Sequence, residues 1–112
     1  MAVQHVNLAD GKWFAMTLAE QLGNIGSEVG RASSWRNKGN KEYFEKAFSR
    51  AIELFDLSLS DNRWRGAKRR EIARAREMVC EALDTESPER SCDSLNDYFG
   101  HFALLARAQK GF

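Results

Sequence analysis

A stripe of small residues in the first long helical segment constrains the fold of this chain more than any other feature. Its members are spaced four, four, three and four residues apart, so they share one face of a helix. Each glycine inside a helix costs about 1 kcal/mol relative to alanine. We therefore expect a second backbone to pack closely against this small-residue stripe. The stripe consists of Ala15, Ala19, Gly23, Gly26 and Gly30.

Apolar residues recur at helical spacing in four segments, and alternating runs of Val or Ile that would indicate strands are absent. Asp10 is the expected N-cap of the first helix, and Gly39 and Asn40 are expected to end that helix and begin the next. The polar segment around Pro88 is expected to be a loop, with Ser91 or Asp93 as the following cap. The predicted helices are 10–37, 41–59, 63–83 and 93–109.

Four amphipathic helices with short connections predict an all-α fold, a single antiparallel up-down four-helix bundle. The length of 112 residues fits one domain, 1–112, in which we expect residues 1–9 to form a mobile leader. Apolar residues make up 43% of the chain, which is enough material for a core.

Composition also argues against several classes of protein. No apolar run approaches the roughly 18 residues of a membrane span, and the N-terminus lacks a secretory pattern, so we expect a cytoplasmic protein without membrane contact. Cys80 and Cys92 do not form a CxxC pair, and only His5 and His101 could join them as ligands. No Glu-x-x-His, phosphate-binding loop or nucleophile elbow occurs. We expect no metal and no cofactor.

The strongest local charge signal is the basic run RWRGAKRREIARAR, residues 63–76. Seven basic residues stand there against one acid, Glu71, while the whole chain has a net charge of only +1. Arginine forks match phosphate oxygens, and Trp64 could stack on a base, so the run is a candidate RNA-binding site. The candidate residues are Arg63, Trp64, Arg65, Lys68, Arg69, Arg70, Arg74 and Arg76.

The same run has a structural interpretation, which is the more common one for charges on a helix surface. Its arginines could pair with acids on their own helix or on the preceding one, which would leave an ordinary solvated surface. These acids are Glu71, Glu77 and Glu81, or Glu45, Glu53 and Asp56. The tryptophans Trp13, Trp35 and Trp64 fall near predicted helix ends, where they could either plug the bundle or bind a partner.

The segments YFEKAFSRAIELFDLSLSD and LAEQLGNIGSEVGRA resemble small prokaryotic helical bundles. One is the HEPN (higher eukaryotes and prokaryotes nucleotide-binding) superfamily; the other is the proteins encoded in intervening sequences of ribosomal RNA genes. The resemblance implies a helical bundle with an RNA or protein partner. Active HEPN ribonucleases carry an Arg shortly before a His on one helix, whereas residues 94–97 before His101 read Ser-Leu-Asn-Asp. The resemblance therefore assigns no catalytic residue.

Three functions follow as hypotheses. The first is a non-catalytic interaction module that self-associates, most simply as a homodimer, which the small-residue stripe and the abundant aromatic residues favour. The second is RNA binding through residues 63–76. The third is a divergent HEPN-like ribonuclease that uses His101 as a general base.

Overall fold

The computed structural model describes residues 11–83 and 92–109, and all regular structure in these two ranges is helical. Four α-helices follow a short 3-10 helix at Trp13–Ala15. They are α1 (Leu18–Asn37), α2 (Lys41–Leu59), α3 (Ala67–Leu83) and α4 (Cys92–Gln109). The all-α prediction is confirmed for these ranges. The predicted leader 1–9, the predicted caps Asp10 and Ser91, and the loop around Pro88 lie outside them.

Helix α1 begins at Leu18, so the predicted start near Asp10 was wrong. Thr17 is the N-cap: its side chain accepts a hydrogen bond from the Glu20 amide at 3.1 Å, and the Glu20 carboxylate accepts one from the Thr17 amide at 3.0 Å. This reciprocal capping box satisfies two amides at the helix start. Ala15 lies in the 3-10 helix before this cap and therefore does not belong to the α1 face.

Helix α2 has the bounds predicted from the sequence. Its beginning was predictable because interactions of residues adjacent in the chain set it. Gly39 adopts a left-handed conformation with φ of 75°, which ends the preceding helix without steric cost. The Asn40 side chain then accepts a hydrogen bond from the Tyr43 amide at 3.1 Å and caps α2.

Helix α3 begins at Ala67, four residues later than predicted. The amide of Trp64 donates to the Asp61 carbonyl at 3.1 Å, which closes a turn after α2. Gly66 follows in a left-handed conformation with φ of 60°, which a helix cannot continue through. Arg63 and Arg65 therefore belong to the α2–α3 loop and not to the helix.

Helix α1 is the central element of the packing. It packs mainly against α2 and α4, while α2 also packs against α3. Buried apolar residues of all four helices form one core, including Ile25, Phe55, Ile72 and Phe99. Within the described residues, no helix is both long enough and apolar enough to cross a lipid bilayer.

Helix α4 lies across part of the small-residue stripe. A Cβ atom built on Gly26 would overlap the Cβ of Phe99 and lie 2.9 Å from its Cγ, and one built on Gly23 would lie 3.5 Å from the Cα of Ala103. Ala19 is buried. A Cβ on Gly30 would meet no described atom within 4 Å, so the close approach of the two backbones is concentrated at Gly23 and Gly26.

Candidate nucleic-acid interface

A buried hydrogen-bond network centred on Gln21 holds the loop that precedes α3. The Gln21 Oε1 atom accepts hydrogen bonds from Ser58 Oγ and Trp64 Nε1, each at 2.8 Å. Its Nε2 atom donates to the Trp13 carbonyl at 2.9 Å and to Asp61 Oδ2 at 3.1 Å. Both lone pairs and both protons of the amide are therefore used, and the opposite amide orientation would turn protons toward the donors.

The same network attaches the 3-10 helix to the bundle. Trp13 is fully buried, and its Nε1 donates to Ser58 Oγ at 3.1 Å. Gln21 was not among the residues predicted from the sequence, because a glutamine in an amphipathic helix is usually a surface residue. The signal that could have identified it is its position one turn before Ile25, on the apolar face of α1.

Arg63 belongs to this network by way of Asp61. Its guanidinium donates to Asp61 Oδ2 at 2.7 Å and to the Met16 carbonyl at 2.6 Å, and its backbone amide donates to Asp61 Oδ1 at 3.0 Å. The hydrogen bonds from Arg63 hold the pKa of the Asp61 carboxyl below its usual range, although burial acts in the opposite direction. The charge of Arg63 is thus neutralised within the chain.

Trp64 does not belong to the candidate interface, because its ring packs in the core. The residue is only 8% exposed, and its indole N–H is directed at Gln21. The Arg63 guanidinium lies 4.3 Å and the Lys68 ammonium 5.5 Å from the ring centroid. The prediction that Trp64 stacks on a base was therefore wrong, because a buried ring beneath two cationic side chains presents no free face to a base.

Five of the remaining basic residues form an exposed surface, which we call the basic face. It consists of Arg65, Lys68, Arg69, Arg70 and Arg74. Among the described residues, no ion pair involves Lys68, Arg70 or Arg74. Arg65 and Arg69 donate to the backbone carbonyls of Asn62 and Leu59, which are neutral groups and leave the arginine charges uncompensated.

The last basic residue of the run, Arg76, is paired internally. Its Nε atom lies 3.2 Å from Asp56 Oδ1 on α2. The single acid of the run, Glu71, accepts a hydrogen bond from the Tyr98 hydroxyl on α4 at 2.6 Å. Burial and then this hydrogen bond raise the pKa of Tyr98. Internal pairing therefore accounts for Arg63 and Arg76 and leaves the basic face unmatched.

Three cations of the basic face, Lys68, Arg69 and Arg70, lie in the first turn of α3, where they work against the stability of the helix. The first turn of α3 contains no acidic residue, and the last turn contains no basic one. Cations near a helix N-terminus lie at the positive end of the helix dipole, an arrangement that costs about 0.3–1 kcal/mol per charge. Helix stability therefore does not explain why the cations are there, whereas attraction of an anion would, because the dipole and the side chains add to one positive potential.

The structure adds no support for a general base at His101 or for a metal site among the described residues. His101 is exposed on α4 beside Phe102, and no described side chain hydrogen-bonds its ring to orient it as a general base. The ribonuclease hypothesis stays a prediction. No three His, Cys, Asp or Glu side chains of the described ranges are grouped to hold a metal ion. Glu28, a carboxylate on the inner face of α1, accepts hydrogen bonds from Arg31 and Arg50.

Comparisons of the chain with protein families, with curated proteins and with solved structures found no match. The resemblance to HEPN and intervening-sequence bundles therefore stays a prediction from the sequence.

Proposed function

We propose that this protein is a non-catalytic RNA-binding module that contacts the phosphate backbone through its basic face. The observation that carries the proposal is the set of exposed cations without an ion pair in the loop before α3 and in the first two turns of that helix, with Arg70 and Arg74 one helical turn apart. Guanidinium groups bind phosphate oxygens in a bidentate manner.

The composition of the basic face favours recognition of the backbone over recognition of bases. The aromatic ring that Lys68 of the basic face covers, Trp64, is buried, so it provides no stacking platform beside these cations. Contacts with phosphates position a nucleic acid without reading its sequence, and they release counterions. We therefore expect binding with little sequence preference and a steep dependence on salt.

Fluorescence anisotropy with a labelled single-stranded RNA, measured from low to high salt, tests the proposal. The double variant Arg70→Glu/Arg74→Glu is expected to weaken binding by at least about tenfold and to lower the slope of log affinity against log salt by about two. The matched control is Lys41→Glu/Lys46→Glu, which reverses the same number of exposed charges on α2.

Three results would contradict this function: wild-type affinity in the α3 variant, equal losses in both double variants, or tighter binding of a DNA strand of the same sequence. The first would remove the basic face from the interface. The second would reduce the effect to net charge alone, and the third would show that RNA is not the preferred ligand.

We propose that the helices form an antiparallel up-down bundle, which is supported by the three-residue connection between α1 and α2 and by the packing of α1 against both α2 and α4. A cytoplasmic location would give the basic face access to cellular RNA.

A further inference from the structure

The outer face of α4, directed away from the core, is uncovered by any described residue. Its members are spaced three, one, three and three residues apart, so they share one side of the helix. Leu104 is 64% exposed, the largest exposed fraction among the large apolar residues of the described ranges. The outer face of α4 consists of Asp97, Gly100, His101, Leu104 and Arg107.

A shallow groove between α1 and α4 runs beside this face. It has a volume of about 210 Å³, and its lining includes Gly23, Ser27, Gly100 and Ala103. A Cβ on Gly100 would meet no described atom within 4 Å, so the backbone there is open to an approaching side chain. The face thus carries a projecting leucine close to a recess floored by small residues.

We propose that a second copy of this chain covers the outer face of α4, with the two α4 helices packed antiparallel about a two-fold axis beside position 102. In that register, a residue a given number of positions after 102 in one copy lies opposite the residue the same number of positions before 102 in the other copy. Leu104 then lies over the partner copy's Gly100, and the same contact recurs by symmetry. This arrangement places the projecting side chain where the partner has none.

Charge complementarity selects the antiparallel orientation. Asp97 and Arg107 are also equally far from position 102, so each carboxylate of one copy lies opposite the guanidinium of the other, and the dimer contains this pair twice. A parallel pairing in register would bring Asp97 against Asp97 and Arg107 against Arg107. Opposed like charges disfavour that alternative.

The expected dimer is weak, because the contact is small. From Asp97 to Arg107 the helix extends about 15 Å, and one such face with the adjoining edge of α1 buries less than the roughly 800 Å² per partner of a standard interface. Interfaces of standard size reach micromolar or tighter affinity, so for this smaller one we expect a dissociation constant of about 10–500 µM. The basic face takes no part in this dimer, and α4 of the same chain already covers Gly26 of the small-residue stripe.

Sedimentation velocity of the full chain from about 1 µM to 1 mM, a range that brackets the expected dissociation constant, tests the inference. The average mass is expected to rise from that of one chain toward that of two. Leu104→Glu places two carboxylates against the closely packed backbones and is expected to weaken the dimer by at least about tenfold. Tyr43→Glu, at an exposed aromatic residue on α2, is the matched control and should leave the mass distribution unchanged.

A charge exchange separates this register from other ways of pairing. Asp97→Arg alone opposes two arginines and should weaken the dimer, whereas Asp97→Arg combined with Arg107→Asp should restore it. Both positions are exposed, so folding is expected to survive, and circular dichroism checks it. A monomer throughout the range, assemblies larger than a dimer, a dimer unaffected by Leu104→Glu, or no recovery in the exchanged variant would each overturn the inference.

Discussion

Arg63 and Arg70 stand seven residues apart in one basic run, yet the structure gives them opposite surroundings. Arg63 is held by Asp61, whose side chain is buried, and it donates to a backbone carbonyl of the segment before α1. Arg70 is exposed on α3 and has no ion pair among the described residues. The difference teaches that residue type and charge density do not show which charges are compensated within the chain: the local pairing of each charge does.

The same contrast between an enclosed and an open position occurs within α1. Gly26 faces Phe99 so closely that a methyl group would collide with it, whereas Gly30, four residues later, faces no described atom within 4 Å. Mutations in these enclosed and open positions therefore provide direct tests of the comparison.

The largest effect is expected from Gln21→Leu, which breaks the enclosed network at its centre. The substitution leaves the Trp64 indole N–H and the Ser58 hydroxyl without their acceptor, and unsatisfied buried groups cost about 1–3 kcal/mol each. We expect a loss of about 3–5 kcal/mol in the free energy of unfolding, measured by urea denaturation. Asn24→Leu, at an exposed position of α1, is the control. A similar loss there would show that the network does not contribute to the free energy of unfolding more than an exposed polar residue does.

Gly26→Ala is expected to destabilise the protein by about 1–3 kcal/mol, because the new methyl group forces α4 away from α1. Gly23→Ala is the matched control, since its methyl group would lie at an ordinary contact distance of 3.5 Å from the Cα of Ala103. Thermal and urea unfolding of both variants measure the difference. If the two substitutions had equal effects, the closest approach of the helices would not be at Gly26.

The Asp61–Arg63 pair is expected to make stability depend on pH. The pKa of Asp61 is lower in the folded chain than its unfolded value of about 3.9, so the stabilisation is complete above that value and is lost as the pH falls through the folded pKa. Asp61→Asn should cost about 1–3 kcal/mol at neutral pH, and the deficit should shrink in acid.

The control for this prediction is Asp56→Asn, which removes the partner of Arg76. Asp56 has a side chain that is 59% exposed, and exposed ion pairs contribute at most about 1 kcal/mol. Unfolding curves between pH 7 and pH 3 compare the two variants. A constant deficit of the Asp61 variant across that range would contradict the assignment.

The smallest effect is expected at Gly30, the open end of the small-residue stripe, and it is the only predicted increase in the free energy of unfolding. Gly30→Ala adds a methyl group where no described atom lies within 4 Å, and alanine favours the helix over glycine by up to about 1 kcal/mol. The free energy of unfolding should therefore rise by up to this amount. A decrease would show that the space beside Gly30 is filled.

Local signals explain which predictions from the sequence succeeded. Both ends of the α1–α2 connection follow from residues adjacent in the chain, Gly39 and Asn40, and the bounds of α2 were correct. The start of α1 was also encoded locally, in Thr17 and Glu20, but a longer apolar pattern concealed it. The start of α3 was predicted too early because a basic, helix-favouring pattern continued through Gly66.

The candidate site was predicted only in outline. The sequence showed where positive charge is concentrated, but it did not separate Arg63 and Arg76, which are paired, from Arg70 and Arg74, which are not. The partner of Arg76 lies twenty residues away on α2, and the acceptor of the Trp64 indole lies on α1. Such contacts have no signature in residue spacing.

By itself, the sequence determined the all-helical character of the described chain, the bounds of α2 and the location of its basic run, because periodicity, caps and composition act over a few residues. Only the tertiary structure decided that Trp64 is buried, that Gln21 joins three segments, that α4 fills the stripe at Gly26, and that the outer face of α4 is open. Burial and hydrogen bonding depend on which distant segments meet, and that is a property of the packed chain.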